Sequence, residues 1–326
     1  MTVISENKYI SPNSVEQAVS AAVEHKGSYR YIAGGTDVMV NKFQGNDTAD
    51  LLIDLTGIQG LKEILKTDTH IIIGALTTLE ELQNQQLLAT HFPMLPEAAK
   101  SVASPTIRKS ATLGGNLLCE NRCIFYNQSE WWREAAGRCL KCNGDICLAS
   151  GGNKYCYSKF VSDIAVVLIS LNAEIEIINE HETSVIPLET IYSGDGINPV
   201  LLPKTSIIKS IYIPLIDGNR SAFKKLRKRE TLDFTSLTTS LTIKNSGSVR
   251  IVLGGAHAKP VIVDGSVEDD LEVLFSQVVS NTRIIENDTY SRSYRKDMIR
   301  VFLKRSFVEL NSKSPYSITG SNEPQK

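Results

Sequence analysis

The sequence predicts an α+β fold in two parts, a larger α/β part over residues 1–217 and a smaller part of antiparallel sheet and helices over 218–312. Strand-like and helical segments alternate in the first half, which is typical of an α/β domain. A polar stretch near residue 218, IPLIDGNRSAF, precedes strands with alternating faces and two closing helices. A chain of 326 residues is also long enough for two or three domains.

Caps and short apolar runs predict the elements of the first part. Ser14 and Gln17 resemble a capping box that begins a helix over 15–25, and Gly27 ends it. Thr77 and Glu80 resemble a second capping box, which begins a helix through about residue 88. The other predictions are strands over 29–33, 51–55 and 71–76, a turn over 34–37, and helices over 38–43 and 96–102.

The later elements are predicted in the same way. Ser162 and Asp163 cap an apolar helix, IAVVLISL, and a strand over 174–178 follows it. Further strands are predicted over 207–213, 241–244 and 249–253, and helices over 269–279 and 290–310. Residues 313–326 are polar and rich in Ser and Pro, so we expect a flexible tail there.

Two glycine pairs have the composition of phosphate-binding turns. AGGTDV (33–38) follows a predicted strand and precedes a helix, and ATLGGN (111–116) precedes the cysteine-rich segment. In each, successive N–H groups can form an anion-binding nest, the hydroxyl of Thr36 or Thr112 adds a donor, and a helix N-terminus after the first favours a pyrophosphate. A plain tight turn is the alternative for each, as at Gly254-Gly255. G-x-G-x-x-G and P-loop fingerprints are absent from the sequence.

All six cysteines lie between Cys119 and Cys156, in a segment without histidine that is predicted to be a loop. Cysteines crowded into one long insert suggest sulfurs that converge on one ligand. Disulfides are the weakest interpretation, since the N-terminus lacks the pattern of a secretory signal. Zinc remains open because Cys119/Cys123 and Cys139/Cys142 form two short pairs. An iron–sulfur cluster, which tolerates looser spacings, remains open too.

Net charge and hydropathy indicate which classes of partner are not expected. The net charge of −1 gives no reason to expect nucleic acid or an anionic membrane as a partner. No apolar run approaches the length of a membrane span, and a cytoplasmic chain is expected. The five histidines are dispersed, so no Ser-His-Asp or Cys-His set is predicted and no catalytic residue is assigned.

Taken in order, five segments resemble the FAD-binding medium subunits of the xanthine oxidase, or molybdenum hydroxylase, family. They are AGGTDV, ASPTIRKSATLGGN, SDIAVVLISLNAEIEI, FKKLRKR and VRIVLGGAHAKP, and the resemblance covers residues 3–312. It implies a two-subdomain FAD-binding domain, similar to that of vanillyl-alcohol oxidases, over 1–217, and the C-terminal domain of these subunits over 218–312.

The resemblance also implies FAD-binding residues. The pyrophosphate would lie on residues 31–38, residues 112–116 would hold the other side of the phosphates and ribityl chain, and Asp163 and Lys225 would contact the flavin end. The implied FAD-binding residues are Tyr31, Ile32, Ala33, Gly34, Gly35, Thr36, Asp37, Val38, Val102, Thr112, Leu113, Gly114, Gly115, Asn116, Asp163 and Lys225. As alternatives, Asp163 is a plain helix N-cap and Lys225 belongs to a solvated basic run over 224–229.

The cysteine-rich insert, over about 117–158, resembles that of the β subunits of 4-hydroxybenzoyl-CoA reductases, which holds a [4Fe–4S] cluster. The pattern C-x15-C-x7-C-x8-C places the implied ligands at Cys123, Cys139, Cys147 and Cys156, and leaves out Cys119 and Cys142. Trp131 and Trp132 are expected to shield the cluster, and Phe125 and Tyr126 to form an apolar wall of the insert.

The implied function is electron transfer in a molybdenum-containing 4-hydroxybenzoyl-CoA reductase, which forms benzoyl-CoA in anaerobic aromatic catabolism. The expected partners are a molybdopterin-binding large subunit, a small subunit with two [2Fe–2S] clusters, and ferredoxin as electron donor, in a dimer of heterotrimers. The alternatives are the FAD subunit of another hydroxylase, acting on an aldehyde, purine or heterocycle, and a zinc-stapled scaffold without a redox role.

Overall fold

The computed structural model describes residues 8–230 and 232–312, so the predicted tail at 313–326 lies outside it. The first sheet is parallel, with strand order β1-β3-β2. Helix α1 joins β1 to β2, and α2 joins β2 to β3. The elements are β1 (Lys8–Ile10), α1 (Val15–Glu24), β2 (Tyr29–Ile32), α2 (Val38–Phe43) and β3 (Leu51–Asp54).

The N-terminal cap of α1 differs in detail from the predicted capping box. The Oγ of Ser14 accepts a hydrogen bond from the N–H of Gln17 at 3.2 Å, as expected. The side chain of Gln17 accepts from the N–H of Asn13 at 2.9 Å, one residue before the cap. Val15 and Val19 lie on the buried face of α1, at the spacing of successive helical turns.

The second sheet has five strands in the order β4-β5-β8-β6-β7, and every neighbouring pair is antiparallel. The alternation of strands and helices therefore produces a parallel sheet only at the N-terminus, and the α+β class is confirmed. The strands are β4 (Ile64–Lys66), β5 (His70–Gly74), β6 (Glu174–Ile178), β7 (Thr183–Pro187) and β8 (Ile207–Pro214).

Seven helices belong to the segment between β5 and β6. Helix α9 is central: all eight of its residues are buried. The single helix predicted through residue 88 is wrong, because the capping box is Thr78 with Glu81 and the helix ends at Asn84, before α4. The helices are α3 (Leu79–Asn84), α4 (Gln86–His91), α5 (Met94–Ser101), α6 (Pro105–Arg108), α7 (Leu113–Leu117), α8 (Glu130–Ala136) and α9 (Asp163–Ser170).

A third, antiparallel sheet in the order β12-β11-β10-β9 follows and packs against α10 and α11. The change of sheet occurs between Pro214 and Arg220, while the division at residue 217 stays a prediction. The elements are β9 (Arg220–Leu226), β10 (Leu237–Ile243), β11 (Ser248–Gly254), β12 (Val261–Ser266), α10 (Leu271–Asn281) and α11 (Arg292–Ser312).

The cysteine-rich insert is not the loop that the sequence predicts, since it contains α8. Ser129 caps this helix by accepting a hydrogen bond from the N–H of Trp132 at 3.3 Å. The two ends of the insert are joined by backbone hydrogen bonds between Arg122 and Lys159, of 2.9 and 2.7 Å. The insert is therefore a folded unit closed at its base.

Candidate functional site

The first glycine motif forms a tight turn directly after β2. A Cβ built on Gly34 would lie 1.7 Å from the carbonyl oxygen of Ser110, so no side chain fits there. Gly35 has a φ of +69°, in the left-handed region that glycine adopts without strain. The turn therefore needs both glycines, and it packs directly on the segment that leads into the second motif.

The backbone N–H groups of this turn remain free. No residue within 8–230 or 232–312 accepts a hydrogen bond from the N–H groups of residues 34–38. Successive free donors in a turn suit an anionic ligand, as the sequence analysis expected. Helix α2, which follows, has only six residues, so the turn itself supplies these donors.

The second glycine motif is used differently. The N–H groups of Leu113 and Gly114 donate to carbonyl oxygens of the 75–77 segment, each at 2.8 Å. The N–H of Gly115 donates to Oγ1 of Thr112 at 3.2 Å. The predicted anion-binding nest is therefore wrong here, because these donors hold α7 against the segment after β5. Gly114 is required by packing, since a Cβ would lie 2.9 Å from the Cβ of Ala75.

A cleft of about 320 Å³ opens between the two motifs. Ala33, Gly34 and Thr112, all predicted to bind FAD, line it. Its lining contains no carboxylate and includes two lysines, which favours an anionic ligand. The sequence analysis missed six of the lining residues: Thr56, Lys62, Leu76, Thr78, Lys109 and Ser110.

Of these six residues, only Lys109 and Ser110 lie in a sequence segment that could have indicated them. Lys109 and Ser110 lie inside the quoted segment ASPTIRKSATLGGN, directly before the second glycine motif. Lys62 lies in the connection between β3 and β4, where no motif marks it. It reaches the cleft because its neighbour Leu61 is buried in one core cluster with residues of the first sheet.

Asp37 is the fifth residue of the first motif, and its carboxylate faces the cysteine-rich insert. It forms an ion pair with the guanidinium of Arg122, and its Oδ2 accepts a hydrogen bond from the N–H of Glu120 at 3.1 Å. Burial lowers the pKa of Arg122 to about 10. The Arg122 guanidinium also lies over the ring of Phe234, 4.6 Å from its centroid. Asp37 therefore joins the first motif to the base of the insert.

Asp163 and Lys225 form an ion pair between α9 and β9. Nζ of Lys225 lies 2.5 Å from Oδ2 of Asp163, and the two side chains are 5% and 3% exposed. Lys225 also donates to the carbonyl oxygen of Ser101 at 3.0 Å, and the hydroxyl of Thr238 donates to Asp163. The two predicted residues thus come together, with both charges compensated inside the protein.

The plainer alternatives for these two residues are wrong. The N-cap of α9 is Ser162, whose Oγ accepts a hydrogen bond from the N–H of Ala165 at 3.1 Å. Lys225 is buried in β9 rather than on a solvated face. Asn116 connects α7 to the start of α9, because its Oδ1 accepts a hydrogen bond from Oγ of Ser162 at 2.8 Å.

The remaining predicted FAD-binding residues have structural partners or lie in the backbone of the turn. The hydroxyl of Tyr31 donates to the carbonyl oxygen of Thr205 at 2.9 Å, and burial raises its pKa. The carbonyl oxygen of Val102, the C-cap of α5, accepts from Arg108 at 2.8 Å. The rest are placed as follows: Ile32 ends β2, Thr36 lies in the first turn, Val38 begins α2, and Leu113 is buried at the start of α7.

Four cysteines of the insert line one small cavity. They are Cys123, Cys139, Cys147 and Cys156, the four that the resemblance implies as ligands. Cys119 and Cys142 do not line it, although Cys142 is also buried. The cavity has a volume of about 10 Å³, and Phe125, Tyr126, Leu148 and Ala149 form its apolar wall. The predicted wall of Phe125 and Tyr126 is therefore present.

The sulfurs line this cavity without forming a metal-binding group in this structure. No group of three or more His, Cys, Asp or Glu side chains among the described residues is arranged to hold a metal ion. All six cysteines are free thiols. Burial raises the pKa of Cys123 to about 11, whereas a hydrogen bond from Cys142 lowers the pKa of Cys139 to about 6. A metal bound here would have to displace protons from buried thiols.

Two polar contacts lie around the cavity, one made by Lys141 and one by the backbone of Cys156. Lys141 also lines it; its Nζ lies 4.5 Å from the centroid of the Tyr126 ring and 3.5 Å from Oε2 of Glu120. The N–H of Cys156 donates to Oδ1 of Asp195 at 3.0 Å, which fixes the last cysteine.

Neither of the two tryptophans lines the cavity. Trp131 is 75% exposed on α8, and it does not line the cavity. Its predicted shielding role is therefore wrong. Trp132 is only partly buried, and it does not line the cavity either. The apolar wall of the cavity is supplied by the shorter side chains around the cysteines.

Comparison with known proteins agrees with this arrangement. Residues 5–216 match the family described as the FAD binding domain in molybdopterin dehydrogenase. The aldehyde oxidoreductase FAD-binding subunit PaoB of Escherichia coli is 30% identical over 77% of this chain and 82% of its own length. The glyceraldehyde dehydrogenase medium chain of Sulfolobus acidocaldarius is 20% identical over 94% of this chain and 98% of its own length.

The fold agrees as well. Reconstituted CO dehydrogenase from Oligotropha carboxidovorans contains a chain that superimposes with a TM-score of 0.72 at 21% identity, covering 94% of this chain and 98% of that one. None of the described helices is long and apolar enough to cross a membrane. The family match covers both glycine motifs and the cleft between them. The chain therefore belongs to the FAD-binding medium subunits of the molybdenum hydroxylase family.

Proposed function

We propose that this chain is an electron-transfer subunit that carries a [4Fe–4S] cluster in addition to FAD. Cys123, Cys139, Cys147 and Cys156 would hold the cluster. The observation that carries the proposal is that these four side chains line one cavity, whereas the other two cysteines do not. Cys139 and Cys147 flank a local bridge between residues 139 and 146, whereas Cys123 and Cys156 lie near the two ends of the insert, so the convergence of all four comes from the fold of the insert.

The surroundings of the cavity fit such a cluster. Four thiolates around iron carry net negative charge, and Lys141, which is paired with Glu120, lines the same cavity. The apolar wall of Phe125, Leu148 and Ala149 limits water around the sulfurs. Binding requires the four sulfurs to be drawn into one ligand group as their protons leave.

The FAD site would combine the turn and the cleft. The free N–H groups of residues 34–38 would face the diphosphate, with Thr112 on the opposite wall. Asp163 and Lys225 would mark the flavin end, at the contact between the FAD-binding part over 1–217 and the C-terminal part over 218–312. An iron–sulfur cluster transfers single electrons and a flavin transfers one or two, so together they connect one-electron carriers to a two-electron reaction.

The partner reaction that we propose is that of a 4-hydroxybenzoyl-CoA reductase, with a low-potential ferredoxin as donor. The support is the resemblance of the insert and its cysteine spacing. Relatives are described as medium chains of dehydrogenases, which supports a larger and a smaller partner subunit. We propose that these are a molybdopterin-binding large subunit and an iron–sulfur small subunit, in a dimer of heterotrimers. The free thiols favour a reducing, cytoplasmic location.

A second partner reaction is the oxidation of aldehydes, with electrons leaving through this chain. It is favoured by the similarity to the aldehyde oxidoreductase subunit of Escherichia coli, at 30% identity. The assembled complex distinguishes the two. A reductase dehydroxylates 4-hydroxybenzoyl-CoA with reduced ferredoxin, whereas an aldehyde oxidoreductase reduces an artificial acceptor when an aldehyde is added.

The cluster is tested by the iron and FAD contents of cysteine variants purified anaerobically as full chains. Cys147→Ser should lose nearly all iron and keep FAD, because it removes a ligand and leaves the cleft intact. Cys119→Ser is the control, since Cys119 belongs to the same insert and lies outside the cavity lining, whereas Cys142 is hydrogen-bonded to Cys139, a proposed ligand. Full iron in Cys147→Ser, or zinc in the wild-type chain, would contradict the proposal.

A further inference from the structure

We propose that Lys62 and Lys109 bind the diphosphate of FAD, from the wall of the cleft beside the glycine turn. The inference rests on FAD binding by this chain and adds two residues to that site. Both lysines line the cleft together with Gly34 and Thr112. They reach it from different elements, Lys62 from the connection between β3 and β4 and Lys109 from the end of α6.

The ammonium groups of Lys62 and Lys109 have no partner among the described residues. Neither side chain has a hydrogen bond or an ion pair with any residue in the described ranges, 8–230 and 232–312. The neighbouring lysines of the site are different: Lys141 contacts Glu120, and Lys225 contacts Asp163. Because no carboxylate lines the cleft, the two free charges are not compensated from within it.

The backbone opposite these charges is shaped for close approach of an anion. Gly34 has no side chain, and the N–H groups of residues 34–38 have no acceptor among the described residues. Ser110 also lines the cleft, whereas the hydroxyl of Thr56, another lining residue, donates to the carboxylate of Asp54 at 2.9 Å. Ammonium, amide N–H and hydroxyl groups around one opening are the donors that bind a dinucleotide's diphosphate. The diphosphate carries two negative charges, whereas an aromatic ring or a ribose carries none.

The two lysines and the glycine turn should contribute differently to diphosphate binding. Each ammonium is a mobile point charge on a flexible stem, so the pair can follow either phosphate without fixing its orientation. The free N–H groups of the turn are rigid and set the orientation instead. We therefore expect the lysines to contribute affinity and salt dependence, and the turn to contribute geometry.

The test is the affinity of the FAD-free full chain for FAD, measured by flavin fluorescence for Lys62→Met, Lys109→Met and the double variant. Each single variant should bind FAD about tenfold more weakly at low salt, and the double variant about a hundredfold, since each loses one charge-assisted contact. Added KCl should weaken binding by the wild-type chain more steeply than binding by the double variant.

Lys296→Met is the control, because Lys296 is an exposed lysine on α11 that lines no part of the cleft. Thermal unfolding of the FAD-free chains should be unchanged in all of these variants, since both cleft lysines are exposed. Wild-type affinity and salt dependence in the double variant would overturn the lysine assignment and leave FAD binding standing. A wild-type chain that binds no FAD would instead overturn the proposed function itself.

Discussion

The carboxylate of Asp37 is paired with the guanidinium of Arg122, so the turn that faces the cleft is tied to the base of the cysteine-rich insert. Arg122 directly precedes Cys123, the first of the cavity cysteines, and the side chains of the pair are 9% and 23% exposed. One Nη of Arg122 is buried without a hydrogen-bond partner among the described residues. Asp37 is thus the only carboxylate in the described ranges that forms an ion pair with this cation.

Asp37→Asn should destabilise both regions at once. It removes the negative charge opposite a buried guanidinium and should lower the free energy of unfolding by about 2 kcal/mol. Iron and FAD retention should both fall, measured after anaerobic gel filtration. Asp47→Asn is the control, because Asp47 forms an ion pair with Arg30 that does not involve the insert. Unchanged iron retention in Asp37→Asn would contradict a link between the two sites.

Gly34→Ala should abolish the close contact between the turn and the segment before the second motif. The added methyl would overlap the carbonyl oxygen of Ser110, which is backbone and cannot rotate away. We expect a loss of about 3 kcal/mol in the free energy of unfolding and strongly reduced FAD content. In the control Gly57→Ala, the nearest atom to the new Cβ is 4.0 Å away. Equal FAD contents in the two variants would show that the close approach at Gly34 is dispensable.

The buried pair of Asp163 and Lys225 should be strongly coupled. Lys225→Met leaves the Asp163 carboxylate buried without its cation and should cost about 3 kcal/mol of unfolding free energy. Adding Asp163→Asn to that variant should recover part of the loss, since both charges are then gone. Urea unfolding of the two single variants and the double variant gives the coupling. Additive losses would mean that the two side chains do not act as a pair.

Acid should weaken the contact between Tyr9 and Asp54 at the edge of the first sheet. Burial alone raises the pKa of Asp54, but hydrogen bonds from Tyr9 and Thr56 outweigh it and the pKa is lowered. A depressed folded-state pKa gives stability that is present above the unfolded pKa and is lost as the pH falls through the folded value, here below about 4. The wild-type chain should therefore have a higher Tm than Asp54→Asn at pH 6, and this difference should vanish at acid pH. A difference that is as large at pH 3 as at pH 6 would exclude this linkage.

Local signals predicted the elements whose boundaries depend on neighbours in sequence. Helix α2 and strand β6 have the predicted bounds, because a glycine turn precedes the helix and alternating Glu and Ile residues mark the strand. The second capping box was displaced by one residue, since Thr77 and Thr78 are both able to cap and only the strand before them selects Thr78.

Elements stabilised by distant contacts were not predictable in this way. Strand β9 has the sequence RSAFKKL, whose charged residues suggest a solvated run, yet pairing with β10 buries Ala222 and Phe223. The four cavity cysteines were implied by resemblance, whereas spacing alone left several sets open. Lys62 was missed because its place in the cleft depends on how two sheets pack, which no local pattern encodes.

The central claim is that the four cavity cysteines hold an iron–sulfur cluster next to an FAD site. The most direct measurement is the low-temperature EPR spectrum of the anaerobically purified full chain after dithionite reduction, together with its iron content. We expect the signal of a reduced [4Fe–4S] cluster and about four irons per chain. A chain that contains FAD but gives no such signal, with zinc or no metal in the insert, would contradict the claim.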